Sequence, residues 1–139
     1  MSYSAWAVCL VGLRMDQRRL QSVLFSEEQK RSCNCLKETP DSKYCPECGK
    51  MVWKTVYTPI EGYNERQDKL FGFTVEFLGS GRPAYISALR TACGIGSYDT
   101  LELNKLNLLE ISTQMQEKLE PLGLWDAKAF GIHVFLLEG

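Results

Sequence analysis

The chain opens with SAWAVCLVGLRM at 4–15, apolar on both alternating faces: Ala5, Ala7, Cys9 and Val11 on one, Trp6, Val8 and Leu10 on the other. Such a pattern predicts an interior strand covered on two sides. In DQRRLQSVLFSEEQKR the period changes. Leu20, Val23 and Leu24 fall at i, i+3 and i+4 behind Asp16, a good N-cap, and predict a short helix. MVWKTVYT at 51–58, rich in β-branched and aromatic residues, predicts a strand, and PIEGYNERQD after it a surface connection.

KLFGFTVEFLG sets Phe71, Phe73, Val75 and Phe77 against Gly72, Thr74 and Glu76, a strand with one core-seeking face, ended by GSG at 79–81. RPAYISALRTACG is compatible with two readings. Pro83 at a first helical position, Ile86, Leu89 and Cys93 at helical spacing and Gly94 as terminator favour a helix, with a hairpin return strand as the rival. A helix over 108–119 is predicted by Leu108, Ile111, Met115 and Leu119 on one stripe, by Asn107 and Glu110 at capping-box spacing, and by Pro121 and Gly123 beyond the end. Asp99 and Glu102 form a second, earlier box. AFGIHVFLLE closes the chain as a strand with Phe130, Ile132, Val134 and Leu136 on one face. Segregated strands and helices give the expected class: α+β, a mainly antiparallel sheet with one or two helices on one face.

Between the first strands lies RSCNCLKETPDSKYCPECGKMVWK, which holds four of the six cysteines. The spacing is C-x-C-x9-C-x2-C, through Cys33, Cys35, Cys45 and Cys48. Four sulfurs are the ligand set of a closed tetrahedral zinc site, with Zn–S near 2.3 Å. Residues at i and i+2 of an extended chain face the same way, so Cys33 and Cys35 can converge despite only Asn34 between them. The CPECGK stretch resembles the knuckle of zinc ribbons and rubredoxin-like sites, in which Pro46 fixes a turn and Gly49 supplies a positive φ that aims backbone N–H groups at sulfur. That resemblance implies a structural metal site and nothing more, and the C-x-C half departs from the usual C-x2-C pair. The layout also looks like that of some small proteins of phages and large DNA viruses, a likeness that implies no activity.

Other sulfur chemistries fit less well. A thioredoxin-like pair sits at a strand-to-helix junction, whereas Gly49 and a strand-like run follow here. A catalytic zinc keeps one position open for water, and rubredoxin-like iron sites use two proline knuckles where this chain has one. The expectation is therefore one structural zinc ion, and a single α+β domain over 1–139 with residues 31–54 as a zinc-binding, zinc-ribbon-like insertion. The polar KETPDSK has little to bury, so the metal is expected to order it; structural zinc contributes about 10–16 kcal/mol.

Composition narrows the function. Apolar residues at 45% and charged residues at 24% are ordinary globular usage. The longest apolar run, at 5–13, is far short of the roughly 20 residues of a membrane helix, and no secretory signal pattern precedes it, so an intracellular, reducing cytoplasmic setting is expected. The formal charge is −1, with an excess of +3 over residues 1–54 and −4 over 55–139. Lys30, Arg31, Lys37, Lys43, Lys50 and Lys54, interleaved with Tyr44 and Trp53, suit phosphate contacts and base stacking. Acidic neighbours Glu27, Glu28, Glu38, Asp41 and Glu47 weaken that reading. Cys93, with His133 as base and Asp99 as orienter, is the one candidate for thiol catalysis; the plainer expectation is a buried small Cys93 and a partly buried sheet histidine. Cys9 reads as core, and the GSG and GIG stretches as turns. The expected function is a non-enzymatic module that presents a zinc-braced loop to another protein, with nucleic-acid binding as the alternative and a Cys93–His133 thiol enzyme as the second.

Overall fold

A computed structural model describes residues 5–35, 41–94 and 107–138. It is α+β and mostly sheet. Strand β1 (Ala5–Met15) leads into helix α1 (Gln17–Leu24), then a hairpin of β2 (Phe25–Arg31) and β3 (Trp53–Pro59). Two short strands follow, β4 (Tyr63–Asn64) and β5 (Lys69–Leu70), then β6 (Phe73–Phe77), β7 (Ala84–Gly94), α2 (Leu108–Leu119) with a 3-10 turn at Glu120–Leu122, and β8 (Phe130–Glu138). Six strands form one open antiparallel sheet in the order β4-β5-β6-β7-β1-β8, and β2 and β3 form a separate two-stranded sheet.

β1 is interior, with β7 on one side and β8 on the other, which is why both its faces are apolar. One face meets the helices: Leu13 and its cross-strand partner Ile86 pack with Leu20 and Leu24 of α1 and Met115 and Leu119 of α2, all fully buried. The opposite face carries Val8, Leu10 and Tyr85, with Phe135 stacked on Tyr85 at 4.6 Å between ring centroids. Each aliphatic side chain so buried contributes about 1.5–3 kcal/mol. At the register shift between Val11 and Gly12, β7 comes so close that a Cβ on Gly12 would lie 2.0 Å from the Ile86 carbonyl oxygen. Only glycine fits there.

The helix ends follow the expected chemistry. The Asp16 carboxylate accepts from the backbone N–H groups of Arg18 and Arg19, at 2.9 and 3.1 Å, and the Asn107 side chain accepts from Glu110 N–H at 3.1 Å. Of the α2 stripe, Met115 and Leu119 are buried, Ile111 is half-buried and Leu108 is exposed. The Asp99–Glu102 box lies outside the described residues.

Five expectations need correction. Residues 84–94 are strand β7, not helix: Tyr85, Ile86 and Ser87 are consecutive and buried, a two-sided burial that a central strand provides. The short helix expected behind Asp16 is α1, but FSEEQKR after it forms strand β2, and β3 pairs with β2 instead of joining the main sheet. KLFGFTVEF is two strands joined at Phe71 and Gly72, whose φ values of 50° and 85° match a two-residue primed turn between Leu70 and Phe73. In β8, Ile132, Val134 and Leu136 are exposed, and it is Phe135 and Leu137 that pack. The supposed surface connection also contributes a strand, with Tyr63 buried against Phe25 in an edge-to-face contact at 5.7 Å.

Candidate metal centre

All four predicted cysteines meet at the far end of the β2–β3 hairpin. Seven cross-strand pairs, from Phe25↔Pro59 to Arg31↔Trp53, carry the two strands outward. Its root is tied to the body by the Ile60 N–H, which donates to the Leu24 carbonyl at 2.9 Å, and by Phe25, which packs on the main core. Beyond Arg31 the pairing continues as Ser32 N–H to the Val52 carbonyl, 2.9 Å, and Val52 N–H to the Lys43 carbonyl, 2.9 Å; the Ser32 hydroxyl donates to the Met51 carbonyl. An isolated antiparallel bridge between Tyr44 and Met51 then closes the knuckle. Cys33 and Cys35 leave β2, and Cys45 and Cys48 sit within the knuckle.

The local chain shape follows from CPECG. Cys45 N–H donates to the Lys50 carbonyl at 2.7 Å, Gly49 N–H donates back to the Cys45 carbonyl at 2.8 Å, and Gly49 has φ 76°. This fold turns the N–H groups of Cys48 and Glu47 toward the Cys45 sulfur, and chiefly through them its pKa falls to about 7. The other thiols move the opposite way. Hydrogen bonding to Cys48, then burial and Cys33, pushes Cys35 up to about 12. For Cys33 the Cys35 N–H pulls the pKa down, but hydrogen bonding to Cys45, burial and Cys48 together raise it above 9.0.

The four sulfur atoms lie within 4.8 Å of one another and could hold a metal ion. Tetrahedral coordination at 2.3 Å requires sulfurs about 3.8 Å apart, so metal entry needs a contraction of about 1 Å at most. Cys45 is buried, Cys33 is half-buried, and Cys35 and Cys48 are exposed. Four sulfur donors leave no open coordination position. Arg31, two residues before Cys33, holds Nε and one terminal nitrogen out of solvent without a hydrogen-bond acceptor among the described residues.

The thiol-enzyme constellation does not assemble. Cys93 stands opposite Ala7 and His133 opposite Leu10, three residues apart on β1, so the two side chains lie on opposite faces of the sheet. His133 is half-buried, with Nε2 3.0 Å from the Ala129 carbonyl oxygen and its ring 5.5 Å from that of Tyr85. Cys9 is half-buried between Thr91 and Val134. Asp99 and Lys37 are outside the described residues.

Sequence reasoning named Tyr44 and Trp53 near the sulfurs as stacking candidates and did not single out Met51 or Tyr57. Tyr44, Met51, Trp53 and Tyr57 are all exposed along the hairpin, Tyr57 at 64%. Trp53 and Tyr57 are four apart on β3 and so share a face, with Thr55 between them bonded to Gln29 at 2.9 Å. The signal was the alternation in WKTVY, which reads as core until β3 is seen to pair only with β2. Among the described residues no helix is long and apolar enough to cross a membrane. No family model, no curated protein and no solved structure matches the chain.

Proposed function

We propose that the protein is a non-enzymatic interaction module in which one structural zinc ion, held by Cys33, Cys35, Cys45 and Cys48, braces a projecting hairpin that docks on another protein. The observation that carries this reading is the meeting of four sulfurs at the tip of an arm whose exposed side chains include Tyr44, Trp53 and Tyr57 among polar neighbours. Zinc suits an all-thiolate, closed donor set and adds no redox chemistry. An isolated two-stranded ribbon is marginal in water, so the metal supplies the rigidity that a polar tip lacks. Aromatic side chains held on a rigid strand provide large contact area at small entropic cost, the usual make-up of interface anchors. The module acts in an intracellular, reducing setting, where the thiols stay free to bind metal.

The test is affinity purification with mass spectrometry on three chains: native, Trp53→Ala with Tyr57→Ala, and Cys45→Ser. A stoichiometric protein retrieved by the native chain and lost with both variants supports the reading. Retention by both variants overturns it. A second reading, a nucleic-acid-binding ribbon, has one observation in its favour: Lys30 and Lys54 are cross-strand partners next to Trp53. It predicts retarded labelled RNA or DNA with an affinity that falls steeply with salt.

A further inference from the structure

We propose that the cleft at the α1 end of the six-stranded sheet binds a small phosphorylated ligand carrying two or more phosphoryl charges. This cleft, about 950 Å³, is bordered by the end of β1, the N-terminal part of α1, the β6–β7 turn and the start of β8. It shares no residue with the sulfur cluster. Among the described residues, Arg14, Arg18, Arg82 and Lys128 line it with a single carboxylate, Asp16. A chain whose net charge is −1 thus gathers a local excess of three positive charges in one concavity.

Among the described residues these cations have no anionic partner. Among the described residues the ion pairs are Lys30–Glu28 and Arg90–Glu76, both elsewhere. Asp16 is already engaged as the cap of α1, so it satisfies backbone N–H groups rather than arginines. Arg82 gives one terminal nitrogen to the Leu136 carbonyl at 3.1 Å, which anchors its guanidinium at the rim. Concavities lined by one sign of charge focus the field and concentrate counter-ions, and guanidinium forks match phosphate oxygens two at a time. The wall contains no tryptophan, tyrosine or phenylalanine, so recognition falls on the charged part of the ligand rather than on an apolar body. The volume exceeds that of one phosphate and accommodates a sugar or nucleoside polyphosphate. A continuous basic stripe, as a nucleic acid requires, is a different arrangement.

Calorimetric titration of the full chain with inorganic tripolyphosphate at low salt tests this, with a nucleoside triphosphate and a single-stranded oligonucleotide in parallel. One-to-one binding is expected. It should weaken at least tenfold with Arg14→Gln plus Lys128→Gln, strengthen several-fold with Asp16→Asn, which keeps the helix cap, and stay unchanged with Arg66→Gln. Lys128→Gln alone, at an exposed side chain that makes no hydrogen bond among the described residues, keeps the test valid if Arg14 affects folding. No saturable binding in the millimolar range, or equal losses with Arg66→Gln and Lys128→Gln, would overturn the proposal. So would an oligonucleotide that binds a hundredfold more tightly than either small anion through the same residues.

Discussion

Gly49 donates its N–H to the carbonyl of Cys45 at 2.8 Å while holding φ at 76°, and among the described residues beyond its chain neighbours no atom lies within 4 Å of where its Cβ would be. The position is closed to other residues by backbone conformation and not by space. Gly49→Ala should therefore cost about 1–2 kcal/mol at the knuckle, which corresponds to a roughly 5–30-fold weaker zinc affinity. Competition against a chromophoric chelator measures it. An affinity equal to that of the native chain would show that the Cys45 turn does not shape the site.

Gly12 fails for the opposite reason. Its φ is unremarkable, but a Cβ would meet the Ile86 carbonyl oxygen at 2.0 Å and the Ser87 Cα at 2.7 Å, both backbone atoms. Gly12→Ala should separate β1 from β7 and lower the stability of the whole sheet by several kcal/mol, on the scale of the worst overpacked cores. Denaturant unfolding followed by far-UV circular dichroism gives the answer; a midpoint within error of the native one would refute the close approach.

Zinc uptake should expel protons in a characteristic number. Cys35, pushed up to about 12, and Cys33, raised above 9.0, enter as thiols at pH 7 and each give up a proton, whereas Cys45, at about 7, is half ionised already. These three sulfurs should release about two and a half protons per zinc, measured by calorimetry in buffers of different ionisation enthalpy. Fewer than about two would contradict the ligand set. Without metal, the signs divide. The lowered Cys45 pKa stabilises the knuckle above pH 9 and that contribution is lost as pH falls toward 7, while the raised Cys35 pKa stabilises it below pH 9 and that contribution is lost toward pH 12.

Removing the metal should loosen the arm and spare the body. β2 and β3 pair only with each other, and the main sheet has its own core around Leu13, Ile86 and Met115. Chelation should abolish hydrogen-exchange protection at Ser32, Cys45 and Val52, whose N–H groups bond within the tip, and leave that of β1 and β7 intact. Met115→Ala should do the reverse, costing about 2–5 kcal/mol of global stability with zinc content unchanged. Loss of protection in both regions on chelation would mean that arm and body fold as one unit.

The sequence made the cysteine geometry legible because ligand spacing and a turn glycine are local properties: CPECG specifies its own knuckle. The helix caps at Asp16 and Asn107 were legible for the same reason. Pairing was not. FSEEQKR has no apolar alternation because β2 buries neither face, so nothing in its pattern announces a strand. AYISALRTACG matches helical spacing at Ile86, Leu89 and Cys93, and is a strand because β1 and β6 flank it. Ile132, Val134 and Leu136 alternate as a core face would, yet the stacked Tyr85 and Phe135 settle which side packs. The cleft brings Arg14, Arg82 and Lys128 together from three distant segments, and no spacing rule relates them.

Zinc stoichiometry is the most direct test of the central claim that four sulfurs clamp a metal at the tip of the arm. The native chain, purified under reducing conditions with zinc supplied and then analysed by native mass spectrometry, should carry one zinc ion, and Cys45→Ser or Cys48→Ser should carry none. A metal-free native chain whose tip amides are nonetheless protected from exchange would contradict the account.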